Sequence, residues 1–225
     1  MNFRFSNYYV NKEIKIFLVE NQNLFGECLL DFGCGDSPYR KYINSVSSYQ
    51  EVDLFENQNN ENYKKIELNK QLPFDNKTFN SIISSQVIYQ LEDLDFYLKE
   101  FNRILKPNGK IIVTVPFIWF DTKDQGHINA RYSYNQLIKI FKKNKFDLVK
   151  FKPLNTGLES TLILFNKIIT EYINKIKFRI IRFTLRNIIS ILINLLIFLI
   201  KTLKIFPLKT LYLNSGFIFK KTQTK

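Results

Sequence analysis

The chain has 225 residues, which suits one α/β domain with a sizeable core and an appendage. Its 33 Lys and Arg residues outnumber its 20 Asp and Glu residues, and most of the excess lies in residues 156–225, whose net charge is +10. The two cysteines are too few and too poorly placed for a disulfide framework or a zinc site, which favours a reduced, cytoplasmic setting.

The first predicted element is a helix over residues 7–24. Val10, Ile14, Phe17 and Leu18 recur at helical spacing and fall on one face. Because polar and charged residues interrupt the apolar ones throughout this stretch, we expect no signal peptide.

A buried strand and a glycine turn are predicted next, in the segment Leu29-Leu30-Asp31-Phe32-Gly33-Cys34-Gly35. The apolar run 28–32 is typical of a strand buried on both faces. Gly33 and Gly35 lack a β-carbon, so the chain can turn sharply and a ligand can approach the backbone closely. The pattern fits a dinucleotide, a nucleoside or no ligand at all.

A helix is predicted to follow the turn, capped by Asp36 or Ser37 and opened by Pro38. A dinucleotide-binding turn would carry a third glycine or alanine where Pro38 stands, which argues against a pyrophosphate ligand. Asp53 ends a predicted strand over 47–53, at about the interval after the turn where an acid can reach ribose hydroxyls. Taken alone, Asp53 is better explained as an ordinary turn aspartate.

The rest of the chain alternates apolar strand patterns with helical ones, which predicts a mostly parallel sheet. We predict further strands near 64–68, 79–84, 110–115, 146–151 and 216–221, and helices over 94–105 and 133–143.

Four features in this order resemble the class I S-adenosylmethionine-dependent methyltransferases: Asp31–Gly35, Asp53, residues 72–87 and residues 103–113. The resemblance covers about residues 25–155 and the last strand. It implies a doubly wound, Rossmann-like α/β fold with a mostly parallel seven-stranded sheet, an antiparallel last strand and an apolar helical insertion before that strand. The implied division is a core over 1–155, an insertion over 156–212, and the last strand and tail over 213–225.

The resemblance also implies S-adenosylmethionine as the cofactor and a set of residues that bind it. Asp53 is expected at the ribose, Glu67 and Leu68 at the adenine edge, and Ser85 with Gln86 beside the methionine moiety. The full set is Asp31, Gly33, Cys34, Gly35, Asp53, Glu67, Leu68, Ser85 and Gln86. Tyr89-Gln90 replace a common Glu-His pair of the family, so we predict no metal site.

His127 is the candidate general base, since it is the only histidine and lies in the loop 117–131 after a predicted strand. The alternative is a loop histidine that bonds Asp124 or the backbone. Asp121 and Asp124 are the next candidates for the base.

The insertion carries two apolar helical patterns. Residues 168–183 predict a basic amphipathic helix, and the 14 residues 187–200 are fewer than the roughly 20 that a membrane span needs. We favour an in-plane interfacial helix, or a hairpin that dips into one leaflet, at an anionic membrane surface. The alternatives are helices that bury each other or form a homodimer interface, and a transmembrane span. The basic residues of this segment alternate with Ile and Leu, which argues against a nucleic-acid partner.

Arg131-Tyr132-Ser133 and Pro38-Tyr39-Arg40 resemble segments of methyltransferases from bacterial surface-polysaccharide loci. The sequence hypothesis is therefore a cytoplasmic, peripheral or monotopic membrane-associated methyltransferase acting on an oxygen of a glycan or lipid-linked acceptor. The alternatives are a methyltransferase for a soluble small molecule, with the apolar helices at a dimer interface, and an inactive binding module.

Overall fold

The computed structural model describes residue 3 and residues 5–55, 61–118, 130–203 and 208–222. The strands in these ranges are β1 (Cys28–Phe32), β2 (Ser48–Asp53), β3 (Tyr63–Lys65), β4 (Phe79–Ser85), β5 (Leu105–Pro116), β6 (Phe146–Thr156) and β7 (Tyr212–Lys221). The α-helices are α1 (Tyr8–Glu20), α2 (Leu94–Ile104), α3 (Tyr134–Lys143), α4 (Leu158–Asn174) and α5 (Arg179–Thr202).

The strands form one seven-stranded sheet in the order β3-β2-β1-β4-β5-β7-β6. The pairs β2–β3, β1–β2, β1–β4 and β4–β5 are all parallel. β7 runs antiparallel to β6, since Thr222 N–H donates to Lys145 O while Gly157 N–H donates to Leu211 O. The predicted fold class is confirmed. The strand order reverses between β1 and β4, which places a ligand crevice at the carboxyl ends of these two strands.

Local sequence signals explain where the helices begin. The Asp93 carboxylate accepts a hydrogen bond from Phe96 N–H at the start of α2 (2.8 Å). Ser133 and Gln136 form a reciprocal capping box at the start of α3. The predicted apolar face of α1, including Ile14 and Phe17, is buried.

The prediction of a helix after the glycine turn is wrong. Only a single 3₁₀ turn, Arg40–Tyr42, lies between β1 and β2. Ser37 caps no helix, because its φ of +47° puts it in the left-handed region. The following Pro38 disfavours the helical conformation at Ser37. The connection between β1 and β2 is also short for a complete helix and a return of the chain to the sheet.

Strand lengths also differ from the predicted ones. β3 is shorter than the predicted 64–68, whereas β5 begins at Leu105 rather than near 110. An irregularity in the β4–β5 register between Phe79 and Ser81 accommodates this early start. β6 and β7 are longer than predicted, because they pair with each other as far as Gly157 and Leu211.

The helices of the insertion have different bounds from the predicted ones. In place of helices over 168–183 and 187–200, the structure has α4 and the 24-residue α5, with a break over 175–178. The break contains neither glycine nor proline. The position of the break follows instead from two contacts between the antiparallel helices α4 and α5. Ser190 Oγ donates to Asn166 Oδ1 (3.1 Å), and Lys201 Nζ lies 3.0 Å from Glu159 Oε2.

The chain divides into two compact units. The core unit comprises residues 15–152 and 215–225, and its apolar core includes Leu30, Phe101 and Phe219. The helical unit comprises residues 1–14 and 153–214, a range that contains the predicted insertion 156–212.

Candidate functional site

The glycine turn after β1 has two glycines with different roles. Both have left-handed backbones, with φ of +73° at Gly33 and +53° at Gly35. A β-carbon on Gly33 would lie 2.4 Å from the Val87 side chain, whereas one on Gly35 would meet no atom within 4 Å. Gly33 is therefore required by the packing beneath the turn, and Gly35 leaves an open face that a ligand can approach.

Asp53 lies at this open face. Its Oδ2 accepts a hydrogen bond from Gly35 N–H (2.7 Å), and its Oδ1 accepts one from Leu54 N–H (2.6 Å). The backbone of the turn is also held to β2, since Gly33 N–H donates to Val52 O (2.9 Å). The structure thus brings together two of the predicted site residues that are 18 positions apart.

Asp31 lies beneath the turn rather than on its surface. It is buried, and its Oδ2 accepts a hydrogen bond from the Tyr49 hydroxyl (2.6 Å). Burial raises the pKa of Asp31 to about 7, and the nearby Glu51 and Asp53 carboxylates act in the same direction. Glu51 pairs with Asp31 across the β1–β2 ladder, and its buried carboxylate oxygens have no hydrogen-bond partner among the described residues.

Cys34 is a buried thiol with a weak contact from Sγ to Gly35 O (3.6 Å). Burial raises the pKa of Cys34 to about 12, with a further contribution from Asp31. Because the thiolate is the nucleophilic form, this cysteine stays unreactive at neutral pH. Its part in the site is to shape the turn.

Ser85 and Gln86 lie at the carboxyl end of β4, level with the glycine turn. Asp31 pairs with Ile83, so Gly33 and Ser85 follow at the same height. Thr114 of β5 holds both residues, since its Oγ1 lies 2.9 Å from Ser85 Oγ and accepts from Gln86 Nε2 (3.3 Å). Gln86 has a φ of +61°, and its N–H donates to Thr114 O (2.8 Å).

Glu67 and Leu68 follow β3, next to the strand that carries Asp53. Ile66 N–H donates to Asp53 O (2.9 Å), which places the following two residues beside the end of β2. Both are exposed, and Glu67 pairs with Lys70 (2.6 Å).

His127, Asp121 and Asp124 lie outside the described residues. The described end of their loop is attached to Tyr89, because Ala130 N–H donates to Tyr89 O (2.7 Å) and the Arg131 guanidinium lies 5.9 Å from the Tyr89 ring centre.

Tyr49 and Thr114 are the neighbours of the site that the sequence did not single out. Tyr49 was detectable, because strand alternation puts it on the same face of β2 as Glu51 and Asp53. Its ring in turn lies against the Arg40 guanidinium, 4.2 Å away. Thr114 carried no such signal, since its role depends on the register between β4 and β5.

These residues fit an adenosyl cofactor. Asp53 offers a carboxylate to hydroxyl groups, and Gly35 gives that region an unobstructed approach. The chain continues into a short 3₁₀ turn rather than the helix whose N-terminus would bind a pyrophosphate. A nucleoside ligand without phosphates is therefore the better match.

Comparison with known proteins gives the same answer. Residues 30–113 match a family model described as a methyltransferase domain. A ubiquinone biosynthesis O-methyltransferase from Pelagibacter ubique is 25% identical over 175 residues, which cover 65% of this chain and 73% of that protein.

Solved structures share the fold at low sequence identity. A putative sarcosine dimethylglycine methyltransferase from Galdieria sulphuraria is 13% identical with a TM-score of 0.60, covering 95% of this chain and 86% of that one. Phosphoethanolamine N-methyltransferase 2 from Haemonchus contortus, solved with S-adenosyl-L-methionine, is 16% identical with a TM-score of 0.57, covering 95% of this chain and 53% of that one.

The strand order, the glycine turn and the matched domain all agree with one class of protein. Residues 30–113 match a methyltransferase domain, and the shared fold supports a class I methyltransferase that uses S-adenosyl-L-methionine.

Proposed function

We propose that this methyltransferase acts on an oxygen of a glycan or lipid-linked acceptor at the cytoplasmic surface of a membrane. The observation that carries the proposal is α5, which is 24 residues long and both long and apolar enough to cross a membrane. Its exposed apolar side chains accompany a methyltransferase fold in the same chain. The name of the Pelagibacter ubique relative supports oxygen as the methylated atom.

The cofactor supplies a methyl group already activated on a sulfonium. In this proposal Asp53 accepts hydrogen bonds from the ribose hydroxyls, and Gly35 allows close approach to the backbone. Ser85 and Gln86, held by Thr114, line the methionine end. Alignment of the acceptor with the methyl group and exclusion of water then account for much of the rate.

An oxygen nucleophile must also lose a proton. The Cys34 thiol is buried, and its pKa is raised to about 12, so it is unsuited to that task at neutral pH. His127 remains the proposed base on sequence grounds. We predict that His127→Ala leaves cofactor affinity unchanged in calorimetry and lowers the transfer rate by roughly a hundredfold, the scale of general-base catalysis. Unchanged turnover would remove His127 from the mechanism.

Mass spectrometry of glycans and lipids from cells with and without the gene tests the acceptor class. We expect a glycan or lipid species that gains one methyl group only when the gene is present. Complementation with Asp53→Ala should fail to restore this species. A methyl difference confined to soluble metabolites would overturn the proposed acceptor, and cofactor binding without transfer to any fraction would favour an inactive module.

A further inference from the structure

The exposed side of α5 is apolar, although its buried side is partly polar. The buried side carries Ser190 and Asn194 among Ile193, Ile197 and Ile200. In a helix that packs on a water-soluble domain, the apolar side faces inward and the polar side outward. The exposed face of α5 therefore does not match an aqueous surrounding.

Asn194 and Lys201 on the inward side make polar contacts within the unit. Asn194 Nδ2 donates to the backbone oxygens of Phe3 (2.6 Å) and Phe5 (3.1 Å). Lys201 forms ion pairs with Glu13 (2.6 Å) and Glu159 (3.0 Å). These contacts fix the rotation of α5 about its own axis, so the apolar side is held outward.

The outward side chains form a continuous stripe. Most recur at intervals of three and four residues, which places them along one side of a helix about 36 Å in length. The members of this lipid-facing stripe, as we name it, are Ile181, Leu185, Ile188, Leu192, Leu195, Leu196, Leu199 and Leu203, all exposed. α4 adds a shorter exposed row with the same spacing, formed by Phe165, Ile168 and Tyr172.

Basic residues lie on the other side of α5. Helical spacing puts Arg179, Arg182 and Arg186 on the side that carries Ser190 and Asn194. After Glu171 the chain has 11 Lys and Arg residues and no Asp or Glu. A helix with this division matches one lying in the membrane plane, with its stripe among the acyl chains and its arginines among anionic headgroups.

The charge of the helical unit favours an anionic bilayer over a second copy of the chain as the partner of the stripe. Two copies joined through α5 would bring two strongly basic segments together, and the acids on the inward side, Glu13 and Glu159, are already paired with Lys201. An anionic bilayer covers the apolar area and neutralises the charge as well.

We infer that the lipid-facing stripe is a monotopic docking surface for an anionic lipid bilayer, entered by one face of α5 and not crossed by it. The inference rests on the membrane location in the proposed function and adds the surface, its orientation and the lipid charge that it requires.

Vesicle flotation of the full chain tests the inference. We expect the protein to float with vesicles of phosphatidylglycerol and phosphatidylcholine, and much less with phosphatidylcholine alone. Leu192→Glu combined with Leu199→Glu should lower the partition coefficient by at least about a hundredfold, since each change removes a large apolar group and adds a repelled charge. The matched control is Val149→Glu on β6, because Val149 is as exposed (53%) as Leu199 (53%).

A second pair of variants tests the charge. Arg179→Gln with Arg186→Gln should reduce binding to the anionic vesicles by on the order of tenfold and leave binding to neutral vesicles unchanged. Equal loss on both vesicle types would overturn the headgroup role of the arginines.

Light scattering and calorimetry separate the remaining outcomes. A dimer that the Leu192→Glu and Leu199→Glu changes dissociate, with no flotation of the parent chain, would assign the stripe to a second copy and overturn the inference. Cofactor binding without flotation would overturn the docking surface alone. Flotation without cofactor binding would support the docking surface and contradict the proposed function.

Discussion

Asp53 and Gly35 meet through one hydrogen bond at the open face of the glycine turn. That bond orients the carboxylate before any ligand arrives, and it leaves the outer side of the turn unobstructed by side chains. Asp31 lies two residues before Gly33 and has a different environment, because it is buried against Tyr49 and Glu51. Two aspartates in the same predicted site are therefore expected to respond differently to substitution.

Asp53→Ala is expected to lower the affinity for S-adenosyl-L-methionine by roughly ten- to a hundredfold, the range for lost hydrogen bonds to a charged group. Isothermal titration calorimetry measures this affinity. Asp75→Ala is the control, because Asp75 is an exposed aspartate in a turn away from the cofactor region. Equal affinities for the parent chain and Asp53→Ala would exclude Asp53 from ribose binding.

Asp31 should make the free energy of unfolding depend on pH. Burial raises its pKa to about 7, whereas the value in the unfolded chain is near 3.8. Between these values the native state binds the extra proton, so stability falls as the pH rises from about 4 to about 7. The total change is at most on the order of 4 kcal/mol.

Asp31→Asn keeps an acceptor for the Tyr49 hydroxyl and removes the titration. Urea unfolding over this pH range should then show a flatter profile and a more stable protein at pH 8 than the parent chain. Asp75→Asn should keep the slope of the parent. An unchanged slope in Asp31→Asn would contradict the assignment of the titration to Asp31.

At the scale of elements, the turn after β1 combines a packing position with a binding position. Gly33 faces Val87 and Gly35 faces open space, although both have left-handed backbones. The short 3₁₀ connection to β2 keeps this turn close to Asp53. Substitution of each glycine by alanine should therefore separate stability from cofactor affinity.

Gly35→Ala should cost about 1–2 kcal/mol of stability, the cost of a left-handed backbone for alanine, and should also weaken cofactor binding. Gly33→Ala adds the collision with Val87 and should lose more stability than Gly35→Ala. Urea unfolding and calorimetry on both variants measure the two quantities. Equal losses of stability would show that the contact with Val87 relaxes without cost.

At the scale of the whole molecule, the two compact units differ in what holds them together. The core unit is built around an apolar cluster that includes Leu30, Phe101 and Phe219. The helical unit has buried apolar residues such as Ile163 and Ile197, and it adds buried polar contacts, among them the ion pairs that Lys201 makes with Glu13 and Glu159. Burial raises the pKa of Glu159, and Lys201 opposes that increase.

Lys201→Met should destabilise the protein by about 2 kcal/mol. This is less than the roughly 3–5 kcal/mol lost when one partner of a fully buried ion pair is removed, because the Lys201 side chain is 35% exposed. Thermal or urea unfolding measures the loss. Adding Glu159→Gln to Lys201→Met should restore part of the stability by removing the unpaired charge. Lys209→Met is the exposed control, and equal stability of Lys201→Met and Lys209→Met would refute a structural role for the ion pairs.

The sheet and the position of the glycine turn were predictable from the sequence. Apolar strands such as 28–32, the glycines and Asp53 carry local signals, because burial and left-handed turns restrict the residue types allowed there. The helices with clear caps, α2 and α3, were predictable for the same reason.

Other features depend on contacts between distant residues. Thr114 joins the site only through the register between β4 and β5. No local residue marks the break between α4 and α5, since the pairing of Asn166 with Ser190 and of Glu159 with Lys201 decides it.

By itself, the sequence determined the fold class and the place of the glycine turn, because each depends on residue types at short spacing. Only the tertiary structure decided which side of α5 faces outward. The amphipathic pattern of a helix defines its two sides, but only the partners of Ser190, Asn194 and Lys201 determine which side is buried.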